Sequence, residues 1–162
     1  MTAQTDHAAI RALISRFLRA LDERKFAGDD WARPYCTDDV RIVTPFGPAQ
    51  GAEARRRTEE ALVRFARTQH MTTDLVVDIE AGSGRATASW NALMTHVHHE
   101  ETLRRRGEGA NPVFTVGGYW RAALVRTAGG WRIGQASVEP VWTTGEPPDL
   151  PEGVAAPPLP GP

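Results

Sequence analysis

The chain has one cysteine, Cys36, and one lysine, Lys25, and it has no excess of charge and no long apolar run. A single thiol excludes an internal disulfide and a thiolate metal cluster, so the fold must rest on its core alone. A formal net charge of -1 provides no electrostatic footprint for a phosphate backbone, which argues against nucleic acid as a partner. The N-terminal hydrophobics are interrupted by Arg11, Arg16 and Arg19, unlike a secretory signal, and nothing later reaches membrane-spanning length. The expectation is a cytoplasmic protein that engages no membrane. The near-absence of lysine beside so many arginines reflects coding bias more than chemistry.

What is present fits one globular core. The 162 residues are 41% hydrophobic and 24% charged, values ordinary for a folded domain of this length. Ile10, Leu13, Ile14, Phe17, Leu18 and Leu21 recur at the offsets of one helical face, behind a cap at Thr5 or Asp6. One row of that face runs Ile10, Ile14, Leu18 and then Asp22, so a carboxylate lies on the apolar stripe. The paired alternative for Asp22 is a solvated helix end beside Arg19.

Residues 27 to 36 read as loop and short helix, 40 to 46 as a strand, GPAQG as a turn, and 52 to 69 as an amphipathic helix whose arginines face solvent. From residue 70 the period becomes two, with Met71, Thr73, Leu75, Val77 and Ile79 on one face and His70, Thr72, Asp74, Val76 and Asp78 on the other. RATASWNALMTHVHHE forms a second long strand, ETLRRRGEGAN a polar loop with solvated Arg104, Arg105 and Arg106, and two further strands lie on either side of AGG. Helices followed by an antiparallel meander describe an α+β fold in which a curved sheet wraps around helices. Residues 1–145 make the domain. Residues 146–162, with seven prolines, make a tail that is ordered only if it docks.

Three of the five histidines fall in THVHHE, residues 95 to 100. Strand alternation places His96 and His98 on one side with Trp90 and Met94, and His99 on the other. A metal would want a third ligand beside that HxH pair; no carboxylate or second histidine pair stands at a telling spacing, and the expectation is no metal. The acid/base alternative needs a histidine poised near neutrality and a carboxylate that fixes its tautomer, with Asp22 and His70 as further candidates.

The segments ALDERKF, DDWARPYCTDDVRIV, TQHMTTD and GGYWRAALVRTAGGWRI resemble the SnoaL-like family of the nuclear-transport-factor-like superfamily, from Ala8 to about Trp142. The resemblance implies a cone-shaped α+β barrel with N-terminal helices in the concavity of a mainly antiparallel sheet. Within that superfamily the pattern looks most like scytalone dehydratase: its first-helix aspartate matches Asp22 in LDERKF, its first histidine His70 in TQHM, and its second His96. Two tyrosines that hold a carbonyl-polarising water there fall on Leu21 and Thr44, and a substrate-contacting asparagine falls near Trp120, so a different substrate is implied.

The resemblance thus implies a cofactor-independent dehydratase, isomerase or cyclase acting on an apolar cyclic or polyketide-derived small molecule, with Asp22, His70 and His96 catalytic and Asp22 holding His96. Thr44, Trp31, Phe46, Phe65, Trp90, Asn91, Tyr119 and Trp120 are the candidate substrate-binding residues, Thr44 and Tyr119 being the replacement donors. Analogy implies a homodimer or homotrimer. The rivals are a catalytically silent binding or assembly subunit of the same fold, and an epoxide hydrolase, for which Asp74 and Asp78 would supply the carboxylates.

Overall fold

The computed structural model describes residues 3–26, 28 and 30–161. Helix α1 (Ala3–Asp22) is followed by strands β1 (Cys36–Thr44) and β2 (Gly47–Gln50), helix α2 (Gly51–Val63), strands β3 (Arg67–Glu80) and β4 (Arg85–Val97), helix α3 (Glu100–Arg106), and strands β5 (Val113–Thr127) and β6 (Gly130–Thr144). The six strands form one curved, unclosed mixed sheet in the order β2-β1-β6-β5-β4-β3. Only the β1–β6 pairing is parallel. The fold is therefore α+β and conical, with the long N-terminal helix packed inside the curve.

The apolar stripe of α1 seats it there. Ile10, Leu13, Ile14, Phe17, Leu18 and Leu21 are all buried, Ile10 completely. They meet the inward faces of the strands, where Trp90, Met94, Val116, Trp120, Leu124 and Ile133 are buried in turn. Asp6 does not cap the helix; it is buried, accepts a hydrogen bond from Trp131 Nε1 at 3.2 Å and pairs with Arg126. The helix closes with Arg24 in the left-handed region (φ 52) and Lys25 N–H donating to the Ala20 carbonyl at 3.0 Å.

That turn also ends α2 early. Arg24 Nη2 donates to the Leu62 carbonyl at 3.1 Å and to that of Phe65, capping carbonyls that a longer helix would have used itself. The chain then enters the sheet directly, as Ala66 N–H bonds the Val97 carbonyl at 2.7 Å. The helix expected to reach residue 69 stops at Val63, and the strand begins at Arg67.

Strict alternation along β3 fails for a reason in its pairing. Thr73 faces Asn91 but Val76 faces Ser89, so one extra residue is inserted, and Asp74 takes φ 55 at that bulge. Side-chain parity flips across it. Thr68 and His70 point into the cone before the bulge and Val77 after it, while Met71 and Thr73 are exposed. GPAQ forms a short strand against β1 in place of a simple turn. ETLRRR forms a helix, its glutamates in the first turn and its arginines in the last, the charge order that favours the helix dipole.

Residues 146–161 adopt no helix or strand, yet they dock. Arg106, expected in solvent, is largely buried; it reaches Glu146 and Asp149 at 3.0 Å each and the Pro147 carbonyl at 2.7 Å. Arg105 also pairs with Asp149. Farther on, Thr143 Oγ1 donates to the Pro160 carbonyl at 2.8 Å and Leu159 packs on the core.

Candidate active site

Asp22, the last residue of α1, meets the start of β3. Its carboxylate is engaged three times from that strand. Oδ1 lies 2.6 Å from His70 Nδ1 and accepts the Thr68 hydroxyl at 2.9 Å, and Oδ2 accepts the His70 backbone N–H at 2.9 Å. Thr68 and His70 share the inward face because they are two residues apart on one strand. The His70 side chain is 5% exposed and that of Asp22 21%.

Burial pushes the Asp22 carboxyl up, but the hydrogen bonds from the His70 ring, the His70 backbone and Thr68 outweigh it and hold the group below the usual carboxylate range. An ionised Asp22 can only accept, so His70 Nδ1 carries the proton. In the neutral form of the ring Nε2 then keeps its lone pair, the tautomer a general base requires.

His96 lies on the neighbouring strand with its ring edge-on to His70, centroids 5.9 Å apart at 85°. Asp22 does not hold it, contrary to the expectation. Its Nδ1 is 3.2 Å from the Phe114 carbonyl, to which it donates, and Phe65 packs on the ring at 4.6 Å. Burial, assisted by His70 nearby, brings the His96 pKa down to about 4. It is a neutral imidazole at pH 7, with Nε2 available as an acceptor.

His70 forms part of the wall of a cavity of about 650 Å³, a size suited to a small organic ligand. Its interior is set by Phe17, Leu21, Ile42, Leu62, Trp120 and Val138, and its rim by Phe46, the outer turns of α2 and Val154–Pro157 of the tail. The Thr44 hydroxyl oxygen accepts the Phe46 N–H at 3.2 Å while its proton stays available to donate.

Of the expected substrate contacts, Thr44, Phe46 and Trp120 line this cavity. Trp31, Phe65 and Trp90 are buried core that does not line it. Trp31 packs edge-on to Phe26 and Trp90 stacks on Trp120. Asn91 and Tyr119 are corrections of a different kind, because strand parity puts them on the convex face, in a separate shallow cleft beside Asp74. Tyr119 therefore cannot serve as a donor inside the cone. Asp74 and Asp78 are likewise exposed, which withdraws the carboxylates that an epoxide-opening reaction was expected to use.

The HxH pair is spoken for by backbone. His98 is buried, with Nε2 at 2.9 Å from the Glu146 carbonyl. Among the described residues, no group of three or more His, Cys, Asp or Glu side chains is placed to hold a metal ion. Burial raises the Cys36 thiol to about 12, so it is no thiolate nucleophile. Thr68 is the site residue that sequence reasoning missed. The TxH spacing on a strand next to a buried aspartate was the signal for it.

The model of the family described as "SnoaL-like domain" matches residues 2–136. The chain belongs to the SnoaL-like family. Solved structures agree with this SnoaL-like fold. Kfla4162 from Kribbella flavida is 26% identical, with a TM-score of 0.78 over 88% of this chain and 95% of that one. A candidate scytalone dehydratase from Novosphingobium aromaticivorans is 18% identical, with a TM-score of 0.70 over 94% and 97%. A hexachlorocyclohexane dehydrochlorinase, LinA-type3 from Novosphingobium barchaimii, is 18% identical, with a TM-score of 0.69 over 96% and 97%. No curated protein matches the sequence significantly. Among the described residues no helix is long and apolar enough to cross a membrane. At 18% identity the two Novosphingobium neighbours show a shared fold and no more.

Proposed function

We propose that this SnoaL-like protein is a dehydratase that removes water from an apolar, cyclic or polyketide-derived carbonyl compound, using its own side chains and no cofactor. The observation that carries the reading is the Asp22–His70 pair at 2.6 Å, with His70 opening onto the apolar cavity. His70 Nε2 takes the acidic proton next to the carbonyl, and Asp22 stabilises the imidazolium that results. The electrons of the broken C–H bond form the C=C bond as the C–O bond to the departing hydroxyl breaks. The same imidazolium returns its proton to that oxygen, releasing water, which one ring accomplishes if elimination is syn. Thr44 donates to the substrate carbonyl, and neutral His96, which is not among the cavity-lining residues, packs edge-on against His70 and helps to orient that ring. Isomerisation or cyclisation would share the first proton abstraction and differ in the fate of the resulting enolate.

General acid/base help of this kind supplies roughly 10²- to 10⁴-fold, and orientation within the cavity contributes the remainder. The test is a panel of cyclic β-hydroxy ketones monitored by the ultraviolet absorbance of the conjugated product. Turnover is expected for the native protein, with a fall of about 10²-fold or more in kcat for Asp22→Asn and His70→Gln. If deuterium from solvent never enters the position next to the carbonyl of any panel member, and no enone forms, the protein is a silent binder and the proposal fails. A homodimer or homotrimer is proposed alongside, by analogy, and sedimentation velocity decides it.

A further inference from the structure

The walls of the cavity hold more positive charge than they use. Among its lining residues Glu53 and Glu60 are carboxylates, and both are taken by the outer face of α2. Arg56 bonds Glu53 at 2.9 Å through Nε and also pairs with Glu60, and Arg57 bonds Glu53 at 2.7 Å. A third lining guanidinium, Arg64, is half-buried at the C-terminal end of α2 and has no hydrogen-bond or ionic partner among the described residues. Its fork of donors is free to take an anion that enters the cavity. Nothing else lining the cavity answers it: Asp22 is behind His70 and already accepts three hydrogen bonds.

We propose that Arg64 is the anion-recognition residue of this cavity and that the substrate carries a carboxylate on an otherwise apolar, ring-sized body. The inference rests on the lyase reading for its substrate and extends it. A planar fork of donors matches a carboxylate in two parallel hydrogen bonds. One unpartnered cation, with no second free guanidinium and no helix N-terminus beside it, matches a single negative charge better than a phosphate dianion. Arg64 stands where α2 ends and His70 where β3 has just begun, both on the wall of the same cavity. An acid anchored at Arg64 would lay its apolar body against Leu21, Ile42 and Trp120 and present it to His70.

The experiment is calorimetric titration of the full chain at pH 7.5 and low salt with 2-naphthoate, 2-naphthamide and 2-naphthyl phosphate. The native protein is expected to bind the carboxylate roughly tenfold or more tightly than the amide, as for a hydrogen bond to a charged group. Arg64→Gln should abolish that preference while leaving amide affinity within about twofold. Arg57→Gln should keep it, and Arg64→Lys, which retains charge and stem without the fork, should keep part of it. Equal affinity for acid and amide in the native protein, no binding of either at millimolar concentration, or a preference that survives Arg64→Gln would overturn the proposal. Tighter binding of the phosphate than of the carboxylate would overturn the substrate class. His70→Gln is expected to bind naphthoate with the same preference although it removes turnover, so failure of the anion site and failure of the lyase reading are separately visible.

Discussion

His96 makes a measurable prediction about stability. In the unfolded chain its imidazole titrates near 6.5, whereas burial between Phe65 and Phe114 lowers its pKa to about 4 in the fold. Between these values the unfolded state binds the proton and the native state does not, so stability falls as pH falls through that window and is fully present above it. From pH 7.5 to 4.5 the linkage removes about 2.5 kcal/mol of stability through this one residue. His98, also lowered first by burial, adds in the same direction. Asp22, whose folded pKa is depressed, contributes stability present above about 3.8 and lost only as pH falls through its lower folded value. The perturbation is His96→Asn, whose amide N–H still donates toward the Phe114 carbonyl. The assay is urea unfolding monitored by fluorescence at a series of pH values. The variant should lose about 2.5 kcal/mol less than the native chain between pH 7.5 and 4.5, whatever its absolute stability. Parallel pH profiles for the two proteins would refute the assignment of His96 as a buried neutral imidazole.

The geometry of the cavity and its rim predicts two further outcomes. With a turned-over substrate in hand, Thr44→Val should raise KM or lower kcat by roughly tenfold, as for one lost hydrogen bond at a substrate carbonyl. Tyr119→Phe, on the convex face, should leave both unchanged, and a steady-state comparison of the two variants checks this. Removing residues 146–162 strips Val154–Pro157 from the rim and Leu159 from the core, and frees Arg106. The truncated chain should unfold about 1–3 kcal/mol more easily and bind a hydrophobic dye more strongly, and unaltered dye binding and denaturation midpoint would show that the docked tail contributes nothing.

Much of this arrangement was legible in periodicity. The six apolar residues of α1 repeat at helical spacing, and all six are buried. The same row placed Asp22 on the buried stripe, where it now meets β3. Alternation along β4 correctly separated Trp90, Met94 and His96 from Asn91 and Leu93, because an uninterrupted ladder preserves parity over its whole length; the strand expected to run on through His98 and His99 ends at Val97. The resemblance to SnoaL-like chains supplied the cone.

Where reading by period failed, a distant partner had intervened. The bulge at Asp74 is set by pairing with β4, so no local pattern announces that β3 changes face there. Helix α2 stops where Arg24, nearly forty residues earlier in the chain, takes its last carbonyls. Arg106 is removed from solvent by a tail that local composition reads only as unable to form regular structure. Composition and spacing thus determined by themselves which residues are apolar, which face of α1 and of β4 they share, and that Asp22 falls on the row of the α1 apolar stripe. Only the tertiary structure decided that Asp22 holds His70 and not His96, that Arg64 is left without a partner in the cavity, and that Tyr119 points away from it. These depend on register between strands and on which side chains compete for one charge, and such choices are made between segments far apart in sequence.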